Sequence, residues 1–321
     1  MTDPQLLLTN ALEELKRNNS AEAQYRYASL TSIFVNLDYG FSLLAQITNL
    51  KMGAIRYDAG MFQIIDQEIT ACTSNNIVAN ASLGPHFIKD SLCFLFASDE
   101  KYFERFAEKL IRSLKLYSPK CKILIGISCS RDSFRSFQER YREYDDISLM
   151  HADLPNFGPD GDRVYYSCLR YYVYMHLISS ATVFDDSLVV LLDIDMTQMR
   201  PLDDLLVTCR KNDVSLLVYA TNVDNIMSLI SGSLVILKPS DKSVRFVTEI
   251  IRHFNQCFSR GSVSWHLDQI GLALAFLRCR NLDYFYLPTD SIRSEPFVNI
   301  DYLNSAEAYF HSSTASITLP R

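Results

Sequence analysis

Apolar positions change their period along this 321-residue chain, and the change divides it. Up to about residue 75 they recur at helical spacing. Leu6, Leu7, Ala11, Leu12 and Leu15 share one helix face, and residues 23–34, 41–52 and 59–69 continue as further helical segments. Asn18-Asn19-Ser20, Asp38-Tyr39-Gly40 and Gly53 punctuate them. Residues 76–90 then carry a polar stretch and Gly84-Pro85, which mark a connection.

Beyond it, short apolar runs of strand length appear at 92–97, 122–128, 147–150, 188–192, 214–219, 233–237 and 284–287. Amphipathic helices are predicted between most of them, at 101–117, 132–144, 163–179, 201–211, 244–258 and 266–277. This alternation predicts an α/β fold, a Rossmann-like, mostly parallel sheet flanked by helices, after an all-α N-terminal region. The division is expected at residues 1–84 and 85–321, with the first part acting as a cap, an oligomerisation element or a repeat-like interaction element. In such a sheet ligands bind at the carboxyl ends of the strands, so chemistry is sought just after them.

Composition narrows the partners. Lys and Arg number 31 against 37 Asp and Glu, a net charge of −6 that offers no general attraction to nucleic acid or anionic lipid. An anionic substrate must then be held locally, by a metal ion, a few arginines or helix N-termini. The cysteines Cys72, Cys93, Cys121, Cys129, Cys168, Cys209, Cys257 and Cys279 form no Cys-x-x-Cys pair and lie mostly in apolar runs. They read as buried free thiols in a reducing compartment, and a cytoplasmic protein is expected. Charges interrupt the first apolar run, so no signal peptide is read there, and no stretch has the length of a transmembrane segment.

The sharpest chemical pattern is the segment SLVVLLDIDMTQMRPLDDLL. A strand of continuous apolar residues, 188–192, delivers Asp193 and Asp195 at its carboxyl end. On an extended backbone, residues two apart point the same way, so both carboxylates can face one ion. Two hard oxygen ligands suit Mg²⁺ or Mn²⁺, which keep positions open for water and substrate phosphates. Asp203, in the first turn of the following helix, reads as a helix-start residue.

With this Asp-x-Asp motif in place, the chain from about Leu92 onward resembles the GT-A-type nucleotide-sugar glycosyltransferases, in pattern the family 8-like retaining enzymes. Ala97-Ser98-Asp99 and Tyr102 match that family's first-strand motif. The resemblance implies that Asp99 bonds the base edge of the nucleotide and Tyr102 packs on it; the plainer alternative for Asp99 is a helix N-cap. Arg170 matches an arginine on the helix before the Asp-x-Asp strand, where it would brace the aspartates or touch phosphate. If buried, Arg170 requires an anionic partner. Ser231-Gly232-Ser233 matches a segment lining the donor-sugar pocket, with serine where the family usually has asparagine; glycine there would let the backbone approach the sugar. Asp268 and Gln269 match an Asp-Gln pair under the reacting sugar, where the carboxylate binds hydroxyls or acts as a base. His311 matches a third metal ligand near the C-terminus, although the lysine-proline-tryptophan ending is missing and Arg321 is the only later base.

The resemblance thus implies a hexosyltransferase. It would use Mn²⁺ or Mg²⁺ and a nucleotide-sugar donor, UDP-linked by expectation, and act on a glycan, protein or small-molecule acceptor. Retention is implied; Asp268 acting as base would suit inversion. A protein partner or second subunit could dock on the helical N-terminus. Two other readings use the same residues. In a haloacid-dehalogenase-like phosphatase Asp193 is the nucleophile, Asp195 the acid/base, Thr197 a phosphate contact and Thr221 a second motif. In the other, a GT-A-like module has lost catalysis and only binds.

Overall fold

The computed structural model describes residues 3–34, 50–52, 55–57, 77–78, 92–155, 157–180, 187–219, 229–259, 267–279, 281–288, 292–294 and 310–312. The chain begins with two helices, α1 (Pro4–Asn18) and α2 (Ala21–Phe34). Asp3 caps α1 by accepting from the Gln5 N–H at 2.9 Å, Pro4 opens it, and Asn19 closes it in the left-handed conformation, φ 41°. A helix was expected over residues 41–52, but its end is strand. Leu50–Met52 (β1) pairs antiparallel with Ile55–Tyr57 (β2), Met52 opposite Ile55. A two-residue connection containing Gly53 favours a hairpin, and Ile55 and Tyr57 suit a strand. Residues 41–49 and the helix expected at 59–69 lie outside the described residues.

The main sheet contains β3 (Ile77–Val78), β4 (Leu92–Asp99), β5 (Lys122–Ser128), β6 (Ile147–Ala152), β7 (Leu188–Leu192), β9 (Val214–Val218), β10 (Ile230–Leu237) and β11 (Tyr284–Tyr286). Their spatial order is β11-β9-β10-β7-β4-β5-β6-β3. The pairs β7–β4, β4–β5, β5–β6 and β9–β11 are parallel, while β10 runs antiparallel to both β7 and β9, and β3 antiparallel to β6. The sheet is therefore mostly parallel, as the alternation of strands and helices predicts. Strand β8 (Met196–Gln198) belongs to a separate three-stranded sheet with β12 (Ile292–Ser294) and β13 (Phe310–Ser312), in the order β12-β13-β8.

Helices cover both faces of the main sheet, which is why its central strands, such as 188–192 and 123–127, are almost wholly apolar and buried. Cys93, Leu95, Leu124, Val189, Leu191, Val235 and Leu237 point to one core, shared with α5 (Pro159–Ser180), α7 (Asp241–Ser259) and α8 (Leu267–Arg278). Their alternates, Phe94, Phe96, Ile123, Ile125, Val190, Leu192, Leu234 and Ile236, point to a second core. That core is shared with α3 (Glu100–Tyr117), α4 (Arg131–Tyr141) and α6 (Asp203–Cys209). Asp203 opens α6, as expected. Ala28 of α2 belongs to the first core, so this N-terminal helix packs into it. Gly126 of β5 lets α5 lie close on the sheet: a Cβ there would come within 2.6 Å of Val173 Cγ2.

All seven described cysteines are free and buried, as the sequence leads one to expect; Cys72 lies outside the described residues. No described helix is long and apolar enough to cross a membrane.

His253 of α7 is buried in the first core's rim beside Cys257, whose Sγ lies 3.7 Å from its Nε2. Burial, reinforced by the Arg278 charge, pushes the imidazole pKa down to about 3. The unfolded chain then binds a proton at His253 below pH 6.5 that the folded chain refuses, so stability falls as pH drops through 6.5. This group alone accounts for a slope of up to about 1.4 kcal/mol per pH unit. His253→Leu should flatten the decline of Tm between pH 6.5 and 4; a decline of unchanged steepness would show that other groups carry it.

Candidate active site

The sequence places chemistry at the carboxyl ends of the parallel strands, and the fold brings most of the expected residues to that end. β4 ends at Asp99 and β7 ends one residue before Asp193. Because β10 is antiparallel to β7, its beginning, Ile230–Ser233, reaches the same end. The Asp193 N–H donates to the Ser233 carbonyl at 3.3 Å, which ties Ser231-Gly232-Ser233 directly to the aspartate motif.

The Asp-x-Asp geometry differs from expectation. The strand stops at Leu192, and Asp193 to Met196 form a turn closed by the Met196 N–H donating to the Asp193 carbonyl at 3.2 Å. The two carboxylates are thus related by a turn and not by the pleat of one strand. They remain close enough to interact. Burial, then the charge of Asp193, pushes the Asp195 carboxyl up to about 6, against the opposing pull of a backbone hydrogen bond and Arg170.

Arg170 organises the site from α5. Its guanidinium donates through Nη1 to Asp193 Oδ1 and through Nη2 to Asp268 Oδ2, the latter at 2.9 Å. The Arg170 side chain is only 3% exposed. Burial alone works against its charge. Only together do the charge of Asp193, those of Tyr171 and Asp268, and the hydrogen bond to Asp193 outweigh burial, so the guanidinium is held protonated more firmly than usual. The guanidinium also lies 5.3 Å from the centre of the Tyr171 ring. Sequence reasoning asked for an anionic partner for a buried Arg170, and the structure supplies two. What it missed is that Asp268, in the first turn of α8, is one of them. The signal was available: a single buried aspartate at a helix start needs a cation as much as the arginine needs an anion.

Gly232 has a task before any sugar. A Cβ on it would meet Asp268 Oδ2 at 2.6 Å and Arg170 Nη2 at 3.2 Å, so its missing side chain makes room for the ion pair. What the missing Cβ serves directly is the approach of this backbone to a salt bridge. Gln269, next to Asp268, is half-buried in the same helical turn.

Asp99 fulfils the plainer of its two readings: its Oδ1 accepts the Tyr102 N–H at 2.7 Å and caps α3. Ser98 is buried, its Oγ donating to the Asp99 carbonyl at 3.0 Å, and Ala97 pairs with Gly126. Tyr102 is half exposed, with its ring 5.2 Å from that of Phe106. An exposed ring beside the end of β4 can support a flat ligand. His311 enters through backbone register: β13 pairs antiparallel with β8, setting His311 opposite Thr197, two residues beyond Asp195. Among the described residues no group of three His, Cys, Asp or Glu side chains is arranged to hold a metal ion.

No protein-family model matches the chain, and no curated protein matches it in sequence. Solved structures of similar shape include mouse xyloside xylosyltransferase 1, with 11% identity and a TM-score of 0.45 over 72% of this chain and 99% of that one. The galactosyltransferase LgtC, solved with donor and acceptor sugar analogues, gives 11% identity and a TM-score of 0.45 over 70% of this chain and 87% of that one. The glycosyltransferase GlyE of Streptococcus pneumoniae TIGR4 gives 13% and 0.40 over 64% and 47%. Similarity of this degree says nothing of the reaction.

The bridge formed by Arg170 gives a direct test. Arg170→Met leaves the Asp193 and Asp268 carboxylates without their shared counter-charge, and urea denaturation at pH 7 should show a loss of roughly 3–5 kcal/mol. Adding Asp268→Asn should recover part of that loss, since it removes one of the stranded charges. Independent, additive losses would contradict the bridge.

Proposed function

We propose that the chain is a glycosyltransferase that binds a divalent cation and a nucleoside-diphosphate sugar, a UDP-sugar by the first-strand resemblance. The observation that carries this reading is the turn after β7, where Asp193 is clamped by Arg170 and Asp195 is left short of positive charge. Two carboxylates whose mutual repulsion one guanidinium relieves only on one side are a fitting donor set for a hard cation. Asp193 and Asp195 would hold Mn²⁺ or Mg²⁺, with His311 as a further ligand from the strand that pairs beside them. The bound ion would neutralise charge on the departing diphosphate.

The chain's own residues prepare the site. Arg170 fixes the Asp193 carboxylate and, through Asp268, the start of α8, so Gln269 is presented from a helix whose first turn is tied down. Asp268 itself is occupied, its Oδ2 accepting from the buried Arg170 guanidinium. This supports Asp268 as a positioning group and favours retention, which requires no protein base to activate the acceptor from the opposite face. The exposed ring of Tyr102 is available to the nucleoside.

The phosphatase reading is less well supported. It needs Asp193 free as a nucleophile and Thr197 open to a phosphate, whereas Asp193 is paired with Arg170 and Thr197 is buried in β8.

UDP with Mn²⁺ should raise Tm, and at a hundredfold excess over Kd the gain corresponds to about 2.7 kcal/mol. Asp195→Asn should abolish the gain and lower turnover at least a hundredfold, in the range of losing a transition-state electrostatic contact. No response of the unaltered protein would overturn the reading. With an active donor and acceptor, proton NMR of the first product should show the donor's anomeric configuration kept; inversion would return Asp268 to the role of base.

A further inference from the structure

Strand β8 receives the chain as it leaves the Asp193–Asp195 turn, yet it lies outside the main sheet. Its strand partner among the described residues is the short β13. Helix α3 provides the other anchorage. The Gln198 backbone N–H donates to Ser113 Oγ at 3.0 Å, and that hydroxyl donates to the Leu110 carbonyl at 2.7 Å. The Gln198 side chain donates through Nε2 to the Arg200 carbonyl at 2.8 Å and lies 3.0 Å from Ser118 Oγ, the residue capping the end of α3. Gln198 and Ser113 are both fully buried.

Burying an amide brings no net gain over a well-packed apolar residue unless its geometry is needed. Here the geometry serves the turn. Its entrance is fixed, since β7 is hydrogen-bonded on both sides by β4 and β10. Its closure is the single 3.2 Å bond between Met196 N–H and the Asp193 carbonyl. An exit left loose would let that one bond open. α3 is also the helix that Asp99 caps, so one rigid element joins the end of β4 to the exit of the aspartate turn.

We infer that Gln198, held by Ser113 and Ser118, is a positioning residue that locks the exit of the Asp193–Asp195 turn and the strand against which His311 is registered. It touches no reacting atom, and its bearing on cation binding rests on the reading of the site given above.

Hydrogen exchange of the full-length protein without added metal tests the locking. In Gln198→Leu and Ser113→Ala the amides of residues 193–198 should exchange roughly tenfold faster, while those of α5 keep their protection. Ser113→Thr, which retains the hydroxyl, should restore the slow exchange. Unchanged exchange at 193–198 in Ser113→Ala, or an acceleration spread evenly over the chain, would overturn the inference. Should Gln198→Leu fail to fold, the Ser113→Ala and Ser113→Thr pair decides. A second measurement is the Mn²⁺ concentration giving half the UDP-dependent rise in Tm. It should increase roughly tenfold in Ser113→Ala, and an unchanged value would count against the inference. An unaltered protein that shows no such rise overturns the functional reading, and the exchange result alone then decides the role of Gln198.

Discussion

A buried guanidinium between two carboxylates sets the terms for the rest of this site. Arg170 cannot sit in the first core without anions, Asp193 cannot end a buried strand beside Asp195 without a cation, and Asp268 cannot open a core helix uncompensated. One side chain answers all three requirements. It does so only because residue 232 has no Cβ, since the space a methyl would fill is taken by the Asp268 carboxylate and the guanidinium. The ion pair therefore joins α5, the end of β7, the start of β10 and the start of α8, elements that are far apart in sequence.

That arrangement leaves a deliberate imbalance. Three carboxylates share one guanidinium, and Asp195, the one not bonded to it, has its proton affinity raised by burial and by Asp193. A purely structural network would gain by removing the surplus charge, as replacement of buried charges by apolar groups often shows. On the function proposed above, that surplus is the charge a bound cation would offset.

The strands and helices of the main sheet were legible except for β3, whose residues 77–78 pair with β6 although they fall in the stretch 76–90 read as a connection. Runs such as 122–128 and 188–192 are apolar on both faces because helices cover both, so the sequence pattern and the buried pattern coincide. The N-terminal region was less legible. Residues 50–52 continue a helical spacing of apolar side chains, yet they form a strand because the short connection to Ile55–Tyr57 supplies a partner that periodicity does not register. Strand β8 was missed for a related reason: three residues carry no detectable period, and its partner β13 comes more than a hundred positions later.

The sequence by itself determined which residues carry charge near strand ends, and the covalent order that puts Asp193, Asp195 and their apolar strand in one place. It also determined the alternation that makes a mostly parallel sheet. Pairing was decided by the tertiary structure alone. That Arg170 bonds Asp268 as well as Asp193, that Gly232 serves their contact, and that Ser113 holds Gln198 are consequences of packing between elements. The physical reason is that a charge or amide in a sequence states a demand for a partner, whereas which partner meets it depends on distances that exist only once the core has closed.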